Sequence, residues 1–155
     1  AASDVYKRQV ETQLNLQIRN VAGAGAAGGL GFGLMAFTGA QLQSGAKWVI
    51  EQTQLAEIIK QADYVFTGEG SIDFQTKFGK TPWAVAQLAQ QLNKPVIAFA
   101  GRVGEDVEAL FDEGFSQIVS INEPNCDLAI ALKNAEQHLQ NSCEDITRLL
   151  LYKAY

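Results

Sequence analysis

Residues Asp63 to Thr81 read D-Y-V-F-T-G-E-G-S-I-D-F-Q-T-K-F-G-K-T, and this stretch decides the fold class. The run from Tyr64 to Phe66 is short, apolar and rich in strand formers, and a helical pattern follows the stretch. Gly68 and Gly70 flank Glu69, which predicts a turn where the backbone can adopt positive φ and approach a ligand. Ligands of open α/β sheets bind at the carboxyl ends of the strands. We therefore expect the side chains after this strand to face a crevice.

The same residues also fit a simple strand-to-helix connection, because turns are polar and glycine-rich for conformational reasons alone. The density of functional groups favours a ligand site, since carboxylates, an amide, a hydroxyl and lysines fall within one loop. These residues are Glu69, Asp73, Gln75, Thr76, Lys77 and Lys80. A loop that only connects two elements needs fewer such groups.

Strand and helix patterns alternate along the rest of the chain. The central strand candidates are almost entirely apolar, which is typical of a parallel sheet buried on both faces. We therefore predict an α/β fold, with a mostly parallel sheet and helices on both faces. The predicted strands cover residues 10–21, 64–66, 96–100 and 116–121, and the predicted helices cover 55–61, 82–92, the segment of Val107, Leu110 and Phe111, and 127–151.

Composition excludes several classes of protein. The chain has 155 residues, of which 47% are hydrophobic and 19% charged, as expected of a globular domain with a core. A net charge of −5 without a basic cluster argues against a nucleic-acid partner. No apolar run approaches the ~20 residues that cross a bilayer, so no membrane partner is expected. Cys126 and Cys143 form no metal or disulfide motif, which favours a cytoplasmic protein.

Residues 1–9, A-A-S-D-V-Y-K-R-Q, show neither helical nor strand periodicity and do not lead into the pattern that follows. Our hypothesis is that they are a non-native leader joined to a truncated protein. A continuous native reading frame that encodes them in the parent gene would contradict this hypothesis.

A glycine-rich segment over residues 23–33 is a second candidate site. Gly23, Gly25 and Gly28 have the G-x-G-x-x-G spacing, which in dinucleotide sites lets the backbone approach a pyrophosphate at a helix N-terminus. The acidic residue expected about 20 residues further on has no convincing occupant, although Glu51 is near. Close packing of a helix on small residues explains the glycines equally well. Both interpretations remain open at this point.

Three strings resemble the bacterial glycerate kinase family. They are V-A-G-A-G-A-A-G-G-L-G-F-G-L-M-A-F from Val21, A-D-Y-V-F-T-G-E-G-S-I-D-F-Q-T-K-F-G-K-T-P from Ala62 and K-P-V-I-A-F-A-G from Lys94. The resemblance extends in the same order from about Val10 to the C-terminus, and the pattern T-G-E-G-x-x-D-x-Q-[TS]-x-x-G-K is long enough to be specific.

The resemblance implies the C-terminal portion of a longer enzyme with two α/β domains and an active site in the cleft between them. The expected organisation after the leader is a glycine-rich end of one α/β domain at residues 10–52. The C-terminal α/β portion of the second domain is then expected at residues 53–155.

The resemblance also implies a reaction, the transfer of the γ-phosphoryl group of ATP to a hydroxyl of D-glycerate, giving 2-phosphoglycerate. This chemistry needs Mg²⁺ on the phosphates and a carboxylate near the attacking hydroxyl. Glu69 and Asp73 are therefore candidates for Mg²⁺ binding or general base catalysis, and Lys80 for binding phosphate oxygens. Arg102 is either a bidentate carboxylate ligand or a solvated surface residue. The further binding candidates are Gly25, Gly28, Gly29, Thr67, Gly68, Gly70, Gln75 and Thr76.

Two other hypotheses come from different functional classes. One is a Rossmann-type nucleotide- or dinucleotide-binding domain without catalysis. Gly79-Lys80-Thr81 imitates the end of a Walker A motif, but Phe74 stands where that motif needs glycine. The other is an inactive fragment that exposes apolar surface and associates through it. The oligomeric state stays open.

Overall fold

The structure is a computed structural model that describes residues 2–153. The chain forms two compact units, Ala1–Ser44 and Gly45–Tyr155. The division predicted between residues 52 and 53 falls within the second unit, at the end of its first helix.

The first unit contains two helices, α1 (Ala2–Leu14) and α2 (Ala26–Thr38), joined by turns. The Glu11 carboxylate fixes this connection by accepting hydrogen bonds from the backbone N–H groups of Ile18 and Arg19, each at 2.7 Å. The strand predicted over residues 10–21 is therefore wrong. Helix α1 also covers residues 2–9, in which the sequence shows neither helical nor strand periodicity.

The start of α2 departs from helical geometry. Ala27, Gly28 and Gly29 have φ values of 49°, 69° and 97°, so the regular helix begins after Gly29. Two of these three left-handed positions are glycines, which adopt positive φ without steric cost. The helix ends at Gly39, whose φ of 68° is typical of a glycine that terminates a helix.

The second unit is built on a three-stranded parallel sheet in the order β1-β2-β3. Val65 of β1 pairs with Val96 of β2, and Ile97 of β2 pairs with Gln117 of β3. The predicted α/β class with a parallel sheet is confirmed. The elements are α3 (Gly45–Gln52), α4 (Leu55–Gln61), β1 (Val65–Ile72), a 3₁₀ helix (Phe74–Phe78), α5 (Thr81–Gln91), β2 (Val96–Val103), a second 3₁₀ helix (Val107–Leu110), β3 (Gln117–Ser120), α6 (Leu128–Lys133) and α7 (Ala135–Lys153).

Strand β2 contributes to hydrophobic cores on both faces of the sheet. Successive side chains of a strand point to opposite faces. Val96, Ala98 and Ala100 pack in one cluster that includes residues of α4 and α5. Ile97 and Phe99 pack in another cluster with Ile146 of α7. Helices therefore cover both faces of the sheet, as its almost uninterrupted apolar sequence predicts.

Strand β1 is longer than its sequence suggests. It includes Gly68 and Gly70, neither of which has a positive φ, so the turn predicted around Glu69 is wrong. Gly68 of β1 and Gly101 of β2 permit close packing of the two strands instead. A Cβ atom on Gly68 would lie 3.1 Å from the carbonyl oxygen of Phe99. A Cβ atom on Gly101 would lie 2.8 Å from the carbonyl oxygen of Gly70.

Two predicted helices differ in extent from the observed elements. The helix expected around Val107 is a short 3₁₀ helix, Val107–Leu110, and the long C-terminal helix is divided at Asn134 into α6 and α7. Among residues 2–153, none of the helices combines the length and apolar character needed to cross a membrane.

Candidate functional site

A cavity of about 1000 Å³ opens where the three strands of the second unit end. We call it the sheet-end cavity. The carboxyl ends of parallel strands form the usual ligand site of α/β sheets. Its lining includes residues at or just after the end of each strand: Ser71 and Asp73 for β1, residues 101–104 for β2, and Ser120 and Asn122 for β3.

Asp73 and Lys80 form an ion pair beside this cavity. The Lys80 Nζ lies 3.9 Å from Asp73 Oδ1 and 3.5 Å from the carbonyl oxygen of Ser71. Both side chains are partly exposed, so water screens their attraction. The structure thus brings together two of the three predicted catalytic residues.

The Asp73 side chain also caps the 3₁₀ helix Phe74–Phe78. Its Oδ1 accepts a hydrogen bond from the Gln75 N–H at 2.9 Å, and the Asp73 N–H donates to Thr76 Oγ1 at 3.2 Å. This reciprocal arrangement is a capping box, which fixes the chain direction at the start of a helix. Because both contacts of the carboxylate involve Oδ1, Oδ2 is the oxygen available to a ligand.

The end of β2 lies directly against Asp73. The Gly104 N–H donates to the Ile72 carbonyl at 2.8 Å, and a Cβ atom on Gly104 would lie only 2.8 Å from Asp73 Cβ. A real Cβ atom does not occupy that position without movement of its neighbour. Glycine at position 104 therefore permits the observed position of the carboxylate.

Arg102 supplies a second positive charge to the sheet-end cavity. Its side chain is exposed and, within the described range 2–153, takes part in no ion pair. A guanidinium in this setting can bind a carboxylate or phosphate through two parallel hydrogen bonds. The acidic residues of the lining are Asp73, Glu105, Asp106 and Glu123.

Glu69 lines a different cavity. This side cavity has a volume of about 470 Å³, and Glu69 Oε1 accepts a hydrogen bond from the neighbouring Gly70 N–H at 3.2 Å. The two predicted metal-binding carboxylates, Glu69 and Asp73, are thus assigned to separate cavities. The other residues of the side cavity are Phe66, Thr67, Gly68, Phe99, Gly101, Ile121, Leu139 and Cys143.

The residues that the structure describes fit a Mg²⁺ ion that is bound by one or two carboxylates, but not a metal site built from several protein ligands. In the described part of the chain, no group of three or more His, Cys, Asp or Glu residues could hold a metal ion. Mg²⁺ often binds through one or two carboxylates, with water and substrate phosphates completing its coordination. A single carboxylate such as Asp73, with Oδ2 available, fits that second pattern.

The remaining binding candidates fall into distinct environments. Thr67 is half-buried in β1, whereas Gln75 is exposed on the 3₁₀ helix. Thr76 is completely buried and its hydroxyl is bonded to the Asp73 N–H. The buried Thr76 hydroxyl therefore stabilises the backbone at Asp73, whereas the sequence predicted that it contacts substrate. Gly25, Gly28 and Gly29 lie in the first unit, at the start of α2.

The glycine-rich segment needs its glycines for two different structural reasons. A Cβ atom on Gly31 would lie 2.8 Å from the carbonyl oxygen of Gly23, so that glycine permits close packing. A Cβ atom on Gly28 would meet nothing within 4 Å, and its positive φ is the reason for glycine there. A dinucleotide fingerprint requires a strand before the glycines, and here α1 and turns precede them. The Rossmann interpretation is therefore disfavoured.

Asn122 and His138 were not among the predicted site residues. The Asn122 Nδ2 donates to the carbonyl oxygen of Gly101 at 2.7 Å, so its Oδ1 is free to accept from His138 Nδ1, also at 2.7 Å. These bonds join β2, the segment after β3 and α7 at the wall of the sheet-end cavity. The position of Asn122 just after a strand is the one feature of the sequence that points to it. Its partners, Gly101 and His138, lie 21 and 16 residues away in the chain.

Comparisons with known proteins agree with this architecture. A family model described as the glycerate kinase family matches residues 1–151. The chain is 42% identical to a glycerate kinase of Haemophilus influenzae over 99% of its own length and 40% of that relative. It is 38% identical to a glycerate kinase of Bacillus subtilis, over 91% of this chain and 37% of the relative.

A solved structure gives the same result for the fold. A crystal structure assigned as glycerate kinase 2 from Salmonella typhimurium LT2 superposes with a TM-score of 0.70 at 36% identity. It covers 97% of this chain, which in turn covers 38% of the solved chain. This chain therefore spans well under half the length of these relatives. Because the family match extends over nearly the whole chain, the protein belongs to the glycerate kinase family.

Proposed function

We propose that this chain contributes to the transfer of the ATP γ-phosphoryl group to a hydroxyl of D-glycerate, giving 2-phosphoglycerate. The observation that supports this proposal most directly is the ion pair of Asp73 and Lys80, whose Oδ1 and Nζ atoms lie 3.9 Å apart. The pair lies next to the sheet-end cavity, which Arg102 also lines. Family membership supports the choice of reaction. The chain covers 40% of the Haemophilus influenzae relative, and we propose that the 155-residue chain alone is inactive or nearly so.

Phosphoryl transfer depends mainly on positioning and on neutralising the charge of the transferring oxygens. In this proposal, Lys80 neutralises phosphate oxygens and Arg102 orients the glycerate carboxylate through paired hydrogen bonds. As the oxygen of the attacking hydroxyl forms its bond to phosphorus, Asp73 Oδ2 accepts the hydroxyl proton, and ADP leaves with the bond electrons. When bound, Mg²⁺ would supply further charge neutralisation at the ATP phosphates. Glu69 would hold it if Asp73 is the base, and Asp73 would hold it if the two roles are reversed.

The remaining candidates serve binding in this proposal. Thr67, Gly68 and Gly70 lie on the strand that ends at the site, and Gln75 follows it on the 3₁₀ helix. Gly25, Gly28 and Gly29 form a loop with an open backbone for an anionic group of ATP or glycerate. We further propose that the enzyme acts in the cytoplasm.

A coupled ADP-release assay tests the proposal on a full-length enzyme that contains this sequence. D-glycerate is compared with close hydroxy acids, and we expect ADP release to depend on D-glycerate. The variants Asp73→Asn and Glu69→Gln should each lower kcat at least ~100-fold, as loss of a general base or metal ligand does. Asp145→Asn, an exposed carboxylate of α7, is the matched control and should retain kcat. Normal turnover in both site variants would reject the site, and failure to use D-glycerate would reject the reaction.

A further inference from the structure

Two phenylalanine rings are exposed beside the sheet-end cavity. Phe74 is 44% exposed and Phe78 is 73% exposed, although aromatic side chains usually contribute by burial. Phe74 belongs to the cavity lining, and Phe78 lies one turn further along the same 3₁₀ helix. The proposed phosphoryl transfer makes no use of either ring.

The two rings meet edge to face and form a corner. Their centroids lie 6.5 Å apart and their planes meet at 88°. The helix that carries them is anchored by the buried Thr76, by the capping box of Asp73, and by Gly79 with φ of 99° at its end. A third flat ring can therefore stack on one phenyl face and meet the edge of the other, and both are favourable aromatic geometries.

Two lysines lie on the same short segment as this aromatic corner, beside a cavity whose lining also carries the acidic residues named above. Lys77 Nζ lies 5.6 Å from the centroid of the Phe78 ring, and Lys80 follows two residues after that ring. Arg102 lies on the wall of the cavity that Phe74 also lines. A ligand that matches both features carries a flat aromatic ring and a polyanionic group. Nucleoside triphosphates have that combination.

We propose that Phe74 and Phe78 form a stacking platform for the base of a purine nucleoside triphosphate, whose phosphates extend toward Lys80. This inference rests on the proposed kinase function and adds the location of the base. It concerns binding only, because neither phenyl ring can exchange a proton or coordinate a metal. In this proposal Phe74 and Phe78 bind the base and Lys80 binds the phosphates, so one short segment contacts both parts of the nucleotide.

The test compares two ligands on the 155-residue chain in the presence of Mg²⁺. Calorimetry measures the Kd of ATP and of inorganic tripolyphosphate, which has the phosphates without the base. Phe74→Ala and Phe78→Ala should each weaken ATP binding about 10-fold, because stacking of one base on an aromatic side chain has that magnitude. The tripolyphosphate Kd should stay within about 2-fold, since phosphate binding depends on charge rather than on stacking.

Three matched variants sharpen the result. Phe78→Tyr keeps an aromatic ring and should retain the ATP affinity, whereas Phe78→Leu keeps apolar bulk without a ring and should lose it. Phe111→Ala removes a phenylalanine of similar exposure, 47%, that does not line the cavity and should change neither Kd. Far-UV circular dichroism checks that each variant is folded.

The outcomes separate this inference from the kinase proposal. An unchanged ATP Kd in the Phe74→Ala/Phe78→Ala double variant, or equal weakening of ATP and tripolyphosphate, overturns the stacking platform. Absence of ATP binding to the unsubstituted chain also overturns it. The kinase proposal is judged independently by D-glycerate-dependent ADP release from the full-length enzyme.

Discussion

Gly104 shows how the absence of a side chain can position a neighbouring carboxylate, here the one proposed to act in catalysis. The Cβ atom that any other residue would carry there lies 2.8 Å from Asp73 Cβ. Asp73 cannot simply move aside, because its backbone N–H and its Oδ1 are both bonded within the capping box. At the scale of single residues, the geometry of the proposed site therefore depends on a glycine as well as on the charged side chains.

Gly104→Ala is expected to lower kcat of the full-length enzyme roughly 10- to 100-fold, since a displacement of about 1 Å at a reacting group has such an effect. The measurement is ADP release at saturating ATP and D-glycerate. Gly33→Ala is the matched control, because an added Cβ atom meets nothing within 4 Å there. Equal kcat values for the two variants would show that Asp73 tolerates the extra methyl group.

Cys143 provides a pH-dependent prediction. Burial raises the pKa of its thiol, because desolvation disfavours the thiolate. At pH 8 Cys143 should therefore react with iodoacetamide more slowly than N-acetylcysteine, and the difference should shrink as the pH rises. Mass spectrometry follows the labelling, and Cys143→Ser identifies the signal of Cys126. Labelling of Cys143 at the rate of N-acetylcysteine would contradict the prediction.

The same raised pKa fixes the sign of its contribution to stability. The folded state retains the thiol proton to higher pH than the unfolded state does. Between the two pKa values the unfolded state binds fewer protons, so stability falls as the pH rises through this window.

At the scale of elements, local periodicity predicted several helices and strands correctly. Helix α4 spans Leu55–Gln61, as predicted from the i, i+3, i+4 spacing of its apolar residues. The strand predicted around Leu16 failed because the Glu11 carboxylate holds backbone groups seven and eight residues away. The length of β1 was missed because Gly68 and Gly70 meet a neighbouring strand that is distant in sequence.

The start of α6 offers a test at the same scale. Asp127 Oδ1 accepts hydrogen bonds from the N–H groups of Ala129 and Ile130, at 2.9 and 3.3 Å. Asp127→Ala should lower the free energy of unfolding by about 1 kcal/mol, as expected for loss of an N-cap. Asp127→Asn keeps an acceptor oxygen and should have a much smaller effect. Urea denaturation followed by circular dichroism measures both, and equal losses would exclude capping as the cause.

At the scale of the whole second unit, topology explains which of the predicted site residues lie together. Asp73 and Arg102 line one cavity because parallel strands end at a common edge, a rule that applies to the sequence directly. Glu69 was grouped with them because β1 was expected to end earlier. The hydrogen bond between His138 and Asn122 was not predicted because it depends on how α7 packs beside the sheet, which single-sequence patterns do not reveal.

The core of this unit should be sensitive to loss of volume. Leu110 is completely buried among residues of α4, α5 and the sheet, so Leu110→Ala should lower the free energy of unfolding by about 2–5 kcal/mol. Leu132→Ala is the matched control. That side chain is 69% exposed, and its removal should change stability by less than about 0.5 kcal/mol. Similar unfolding midpoints in urea for the two variants would contradict the assigned core.

Strand β2 is hydrogen-bonded on both sides, to β1 and to β3, and its residues from Val96 to Ala100 are all buried. Its amide protons can reach deuterated solvent only when the surrounding structure opens. Native-state hydrogen exchange should therefore find the slowest amides of the second unit in β2. Their protection would report the free energy of the largest cooperative opening, whereas amides at the fraying ends of α6 would exchange first.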